Sequence, residues 1–194
     1  MKNKGLIVAL VVVLAVVFIA AIWFVGTRNS LLVMQEDVQA QQSNVETYLQ
    51  RRNDLIPNLV STVKGYAKHE EDVYTAIADA RAKLAGTIKN SGDPDEISAA
   101  NAELESAISR LLVIVEQYPE LKASEQFIAL QDELAGTENR ITYARQEYND
   151  VVKTYNKKIK MFPTSIVANM LGLTQEKYFK ADEKAQEVPV VNFD

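Results

Sequence analysis

Residues 124–162 read SEQFIALQDELAGTENRITYARQEYNDVVKTYNKKIKMF, and the spacing of their apolar side chains points to a helical architecture. Phe127, Leu134, Ile141, Tyr148, Tyr155 and Phe162 recur every seven residues, with Leu130, Thr137 and Ala144 at the intermediate positions and Val152 and Ile159 filling the stripe. A seam sustained over five heptads predicts one long helix of an antiparallel bundle or coiled coil. Ser124 stands where an N-cap belongs. Phe162-Pro163 ends the helix, because the residue before proline avoids the helical region.

Upstream, Tyr118-Pro119 closes a second helix that starts near Asp95, runs to about Gln117 and is apolar at Leu104, Ala107, Ile108, Leu111, Leu112 and Val115. Asn90-Ser91-Gly92-Asp93-Pro94 precedes it as the clearest turn in the chain: Gly92 gives backbone freedom, Asp93 can cap, and Pro94 can open the helix. Before that turn, Val38, Gln42, Val45, Leu49, Arg52, Ile56, Leu59, Val63 and Tyr66 are spaced alternately by four and three, and Val73, Ile77, Leu84 and Ile88 extend the stripe. A helix from Leu31 to Lys89 would be roughly 90 Å long if straight. Pro57 lacks an amide donor and clashes with the preceding turn, so it is expected to bend or restart this helix, with Asp54 as the new cap.

Downstream of Pro163, Thr164 to Leu171 reads as a short amphipathic segment stopped by Gly172. It is expected to close the bundle end through Ile166, Val167, Met170 and Leu171. Lys177 to Lys184 can add another turn or two, and Val188 to Phe193 reads as extended.

Leu6 to Val25 is a run of 20 residues without a polar side chain. As a helix it spans about 30 Å, the hydrocarbon thickness of a bilayer. Trp23 lies near one end, where an amphipathic ring suits the interface. The run exceeds a signal-peptide core, and Ile22-Trp23-Phe24 is a poor cleavage neighbourhood, so it reads as a retained anchor. Lys2, Lys4 and the amino terminus precede it and Arg28 follows, which predicts a cytoplasmic amino terminus and an extracytoplasmic body. The expected organisation is a cytoplasmic terminus at 1–5, an anchor at 6–26 that partners the bilayer, a helical bundle at 27–185 and an extended tail at 186–194. The fold class is all-α: a transmembrane helix followed by an up-and-down antiparallel bundle of about four helices, three long and one short.

Composition excludes several functions. The chain has 194 residues, one His and no Cys, so thiol nucleophiles, disulfides, thiolate metal sites and multi-histidine clusters are ruled out. Its net charge is −5. With Lys2, Lys4 and Arg28 set aside, 18 of its 21 basic residues remain against all 26 acidic ones, a charge of −8 for the body. That opposes general nucleic-acid binding.

His69-Glu70-Glu71-Asp72 cannot converge on one ion, since consecutive helical side chains point about 100° apart. It reads as a solvated charged turn. Glu103 with Glu105, and Asp132 with Glu133, read as solvated helix faces. Gly65 and Gly86 are isolated and form no phosphate loop. No catalytic, metal or cofactor site is expected. Arg52 and Gln42, in contrast, fall on the apolar stripe. A buried Arg needs a charged or well hydrogen-bonded partner, and Glu138, Glu147 and Asp150 are the candidates. The arrangement would serve as an internal polar lock that fixes helix register, or as part of a partner-binding groove. The Tyr-Asn pairs at 148–149 and 155–156 repeat one heptad apart, with the tyrosines expected in the core and their hydroxyls at its edge.

Several stretches carry a resemblance. They are Arg51-Arg52-Asn53-Asp54-Leu55-Ile56-Pro57-Asn58-Leu59-Val60, Val63-Lys64-Gly65-Tyr66-Ala67-Lys68-His69-Glu70, Arg110-Leu111-Leu112, Tyr118-Pro119-Glu120-Leu121-Lys122-Ala123, Glu138-Asn139-Arg140-Ile141, Tyr148-Asn149-Asp150, Tyr155-Asn156 and Phe162-Pro163. The chain resembles the LemA family of bacterial membrane proteins over nearly its whole length outside the anchor. It departs from the family at Arg28-Asn29 and Gln42, where a Tyr-Asn pair and a Trp are common. The resemblance implies one membrane helix, a helical bundle and no established reaction. It also implies a partner-binding or membrane-organising role, because related domains occur in magnetosome-associated proteins and family genes lie near those of membrane proteases. The family's amino terminus has been described as extracellular; the charge count here gives the opposite orientation.

The candidate residues for a polar lock or partner surface are Arg51, Arg52, Asp54, Asn58, Glu138, Asn139, Arg140 and Asn149. The expected function is a non-enzymatic, membrane-anchored scaffold or adaptor in the cytoplasmic (inner) membrane, a homo-oligomer without cofactors. The alternative is an accessory subunit of a membrane enzyme such as a protease.

Overall fold

A computed structural model describes residues 2–90 and 92–180. The described residues form six helices and no strand: α1 (Lys2–Lys64), α2 (Glu71–Asn90), α3 (Pro94–Val115), α4 (Pro119–Lys122), α5 (Glu125–Lys160) and α6 (Thr164–Met170). The tail at 186–194 lies outside the described residues. The chain divides into two compact units, one made of residues 2–40 with Asp150–Glu176 and the other of Gln41–Asn149 with 177–180.

In the larger unit the chain goes up and down. Gln42 of α1 reaches Gly92, just ahead of α3, and Arg52 reaches Asn101 within α3, so these two helices run parallel. α2 packs on α3 as the other arm of a tight hairpin, joined by an ion pair between Lys83 and Glu103. Asp93 caps α3, accepting from the Asp95 amide at 2.9 Å, and Pro94 occupies the first helical position. Gly92 adopts φ +60°, a conformation other residues rarely take. Its carbonyl accepts a 2.6 Å bond from Gln42 Nε2, which explains a polar side chain on the apolar stripe. The core gathers Ile56, Leu59, Val63, Ile77, Leu84, Leu104, Leu111 and Phe127.

Two expectations about the first helix are corrected. α1 does not restart at Pro57, and Asp54 caps nothing: its carboxylate accepts from Gln50 one turn back. A proline at position 57 deprives the Asn53 carbonyl of its usual donor four residues on. Arg81 of α2 supplies the replacement, with Nε 3.0 Å from the Asn53 oxygen. Nor does the helix continue to Lys89. It ends at Lys64, and α2 begins at Glu71. In the turn, the amides of Tyr66 and Ala67 both bond the Val63 carbonyl, and the Tyr74 hydroxyl donates to the Ala67 carbonyl. Ala67 is fully buried, while Tyr66, expected on the stripe, is exposed. The long stripe is thus two helices, and the described residues form four long helices and two short ones.

The smaller unit buries Leu31 and Val38 of α1 together with Val152, Tyr155 and Ile159 of α5 and Val167 and Ala168 of α6. Gly172, at φ +68°, terminates α6: its amide bonds the Asn169 carbonyl and the Leu173 amide bonds Ala168. This is the paired capping pattern of a helix ended by a left-handed residue. Phe162 continues the heptad in sequence yet is 81% exposed, because α5 ends at Lys160 and the seam ends with it. Residues 173–180 form no helix, so the turns expected from Lys177 are absent at 177–180; 181–184 lie outside the described residues.

Candidate functional site

Arg52 sits on the core-facing stripe of α1, and its side chain is 9% exposed. Its Nη1 lies 2.7 Å from Glu138 Oε2 on α5, 2.9 Å from Glu105 Oε1 on α3 and 3.2 Å from Asn101 Oδ1. Asn101, buried on α3, also donates from Nδ2 to Glu105 at 2.9 Å, holding that carboxylate in place. One guanidinium therefore ties three helices, and its two carboxylates leave the cluster one negative charge in excess. A planar fork of donors suits this work, whereas an ammonium would serve as a point charge.

Of the three carboxylates named from the sequence, Glu138 is the one in this cluster. Glu105 and Asn101 were missed. Glu105 had read as part of a solvated face. The signal was available in Asn101, a polar residue on the buried side of α3, three residues before Leu104 and four before Glu105.

The cluster floors a groove of ≈ 580 Å³ whose apolar wall includes Ile108, Leu112 and Leu134 and whose rim includes Asp132. The other candidate residues scatter. Arg51 makes an exposed 2.9 Å ion pair with Glu133 of α5, a second tie between the same two helices. Asn58 is exposed, and its carbonyl accepts from the Thr62 hydroxyl. Asn139 and Arg140 face solvent.

Asn149 belongs to a different device. Its Nδ2 donates to the Phe179 carbonyl and its Oδ1 accepts from the Phe179 amide, both at 2.9 Å. The side-chain amide thus pairs with main chain as a strand neighbour would. Tyr148 donates its hydroxyl to the Lys177 carbonyl and meets the Phe179 ring edge-on at 5.0 Å, and Arg145 lies over that ring. In the smaller unit Asn156 repeats the motif on Glu176, again with two 2.9 Å bonds. Both Tyr-Asn pairs therefore place their asparagines on the main chain of the non-helical residues 176 and 179, a role the sequence reading did not assign. Among the described residues the buried Tyr155 hydroxyl has no hydrogen-bond partner, and burial raises its pKa, with the Glu176 carboxylate adding to the effect.

The larger unit adds charge to the clamp. Lys177 lies 2.6 Å from Asp93, and Lys180 lies 2.9 Å from Asp95. The Lys177 hydrogen bond, helped by the Asp95 amide, holds the Asp93 carboxyl below its ordinary 3.8; Lys180 does the same for Asp95. Asp93 in turn raises Lys177 above 10.5. The carboxylates' contribution is present above their ordinary pKa and lost as pH falls through the lowered values. That of Lys177 is present below 10.5 and lost as pH rises through the raised value. The lysines are exposed and both aspartates partly so, and each contribution is therefore small.

Residues 6–25 complete the inventory. They lie within α1, whose apolar window has a mean hydropathy of 3.3 and none of it buried, long and apolar enough to cross a membrane.

The chain is similar in sequence to several known proteins. The chain is 28% identical to magnetosome protein MamQ 2 of Paramagnetospirillum magneticum, over 97% of this chain and 78% of that protein. It is 29% identical to magnetosome protein MamQ of Magnetospirillum gryphiswaldense, over 92% and 75%. It is 28% identical to protein LemA of Metamycoplasma hominis, over 82% and 72%. Residues 41–193, which take in the Arg52 cluster and both asparagine clamps, match the family model, and the chain belongs to the LemA family.

Proposed function

We propose that this protein is a non-enzymatic, membrane-anchored helical adaptor that holds its bundle beside the bilayer for self-assembly or partner binding. One observation carries the reading. The 20-residue apolar run, with none of it buried, is on the same unbroken helix as the core residues Leu49, Ile56 and Leu59. A helix of that composition needs lipid around it, and no linker separates it from the bundle. The basic residues flanking the run favour a cytoplasmic amino terminus, a single pass through the cytoplasmic membrane of a bacterium and an extracytoplasmic bundle. In this reading the Arg52 cluster is a register lock, since a buried arginine between two carboxylates fixes helix position better than it adds stability. The magnetosome relatives are named for a structure, not a reaction, which favours an organising role.

The groove above the cluster supports a second reading, an accessory subunit of one membrane enzyme such as a protease, with the groove as its contact. Cross-linking in the native membrane, followed by mass spectrometry, separates the two. Self-links between soluble helices are expected for the adaptor. Stoichiometric links from groove residues such as Asp132 to one other protein would replace it with the accessory-subunit reading.

A further inference from the structure

The smaller unit ends in an apolar, cationic face that its own core leaves uncovered. Phe162 is 81% exposed, Met170 69%, and Met161 and Ile166 each 50%. Val167 and Ala168, between Ile166 and Met170, are buried. The short segment after Pro163 is therefore split, which corrects the expectation for it: of Ile166, Val167, Met170 and Leu171, Val167 alone is buried, with Ala168 beside it, while Ile166 and Met170 are large apolar groups left exposed. The segment itself carries no basic residue, but the helix before it does. Lys157, Lys158 and Lys160 fall in the last turn of α5, and residues 151–175 contain four lysines and no acidic residue, in a chain of net charge −5.

The distance to the bilayer is set within the same unit. Leu31 is fully buried, so packing of this unit on α1 has begun by that residue. Leu31 lies six residues beyond Val25, the end of the apolar run, which is about 9 Å along a helix. The headgroup layer on each side of the hydrocarbon is about 5–8 Å thick. The packed part of the unit thus begins where the headgroups end, leaving no room for a stalk.

We propose that this face, built from Met161, Phe162, Ile166 and Met170 with the lysines of the last α5 turn, rests in the headgroup layer of the bilayer that the anchor crosses. Apolar side chains enter the interface while ammonium groups meet anionic phosphates, the combination that holds amphipathic surfaces on membranes. The inference rests on the membrane-anchor reading above. It adds a second contact, which fixes the tilt of the stem by holding it at two points.

The chain has no cysteine, so single substitutions accept a spin label in the full-length protein. Phe162→Cys and Met170→Cys report on the face, Val13→Cys on the anchor, and Asp37→Cys on an exposed position about 18 Å beyond Val25 along the helix. In bilayers of phosphatidylethanolamine and phosphatidylglycerol, collision with oxygen is compared with collision with a water-soluble nickel complex. The expected result is an oxygen-to-nickel ratio several-fold higher at 162 and 170 than at 37. Ratios at 162 and 170 equal to that at 37, with 13 still in lipid, would overturn this inference and leave the anchor standing. A label at 13 that favours nickel would overturn both. Spectral broadening at 162 that disappears on dilution with unlabelled protein would assign the face to a second copy instead.

Discussion

Pro57 lies inside α1 and Gly65, eight residues on, directly follows its last residue, so the helix runs through the first and stops short of the second. Intrinsic preference orders them the other way. Proline inside a helix costs about 3 kcal/mol and glycine about 1. The difference lies in what reaches the backbone from elsewhere. At Pro57 the orphaned Asn53 carbonyl receives a guanidinium N–H from Arg81, so the hydrogen-bonding part of the proline penalty is returned. Past Gly65 the Tyr74 hydroxyl satisfies Ala67 in a non-helical position, and the Lys64 ammonium lies 4.7 Å over the Tyr74 ring, so the turn itself is held. A break in a helix is decided by which carbonyls find donors as much as by the residue at the break.

Five substitutions bear on this contrast. Arg52→Ala should have the largest effect, because Arg52 fixes α1 against α3 and α5 and so keeps Asn53 where Arg81 can reach it. Discounting for the part-exposed carboxylates, a loss of about 2–3 kcal/mol is expected, read from denaturation midpoints in detergent. Arg81→Ala should cost about 1.5–2.5 kcal/mol by stranding a buried carbonyl. In a Pro57→Ala background the same change should cost well under half as much, since alanine brings its own amide. Equal costs in both backgrounds would show that Arg81 does not substitute for the proline. Tyr74→Phe should lose about 1 kcal/mol and speed hydrogen exchange at the start of α2, marking the turn as the weaker point. Gly65→Ala should move stability by no more than about 0.5 kcal/mol, because the gain in helix propensity meets a Thr62 carbonyl 3.3 Å from the added carbon.

Much of the fold was legible because it is written in local period and punctuation. The α5 heptads, the Gly92-Asp93-Pro94 start of α3 and the Gly172 stop each depend on residues within a few positions of one another. The hairpin at Gly65 was hidden because Val63, Tyr66, Val73 and Ile77 keep one helical phase across it; a stripe that stays in phase through a turn looks like one helix. The Arg52 cluster was half legible. Placement on the stripe demanded a carboxylate, but choosing Glu105 required knowing that α3 runs parallel to α1 at that register. The asparagine clamps on Glu176 and Phe179 were illegible, since main-chain recognition leaves no mark on the side chains of the segment recognised.

That last property has an evolutionary side. Asn149 and Asn156 hold the peptide N–H and C=O of residues 179 and 176, which every amino acid except proline can present. Phe179 has a further obligation, its ring being packed on Tyr148. Glu176 has no such duty to the clamp. The segment can drift in side-chain identity there while its path stays fixed, and natural variants at 176 should range widely with proline alone missing.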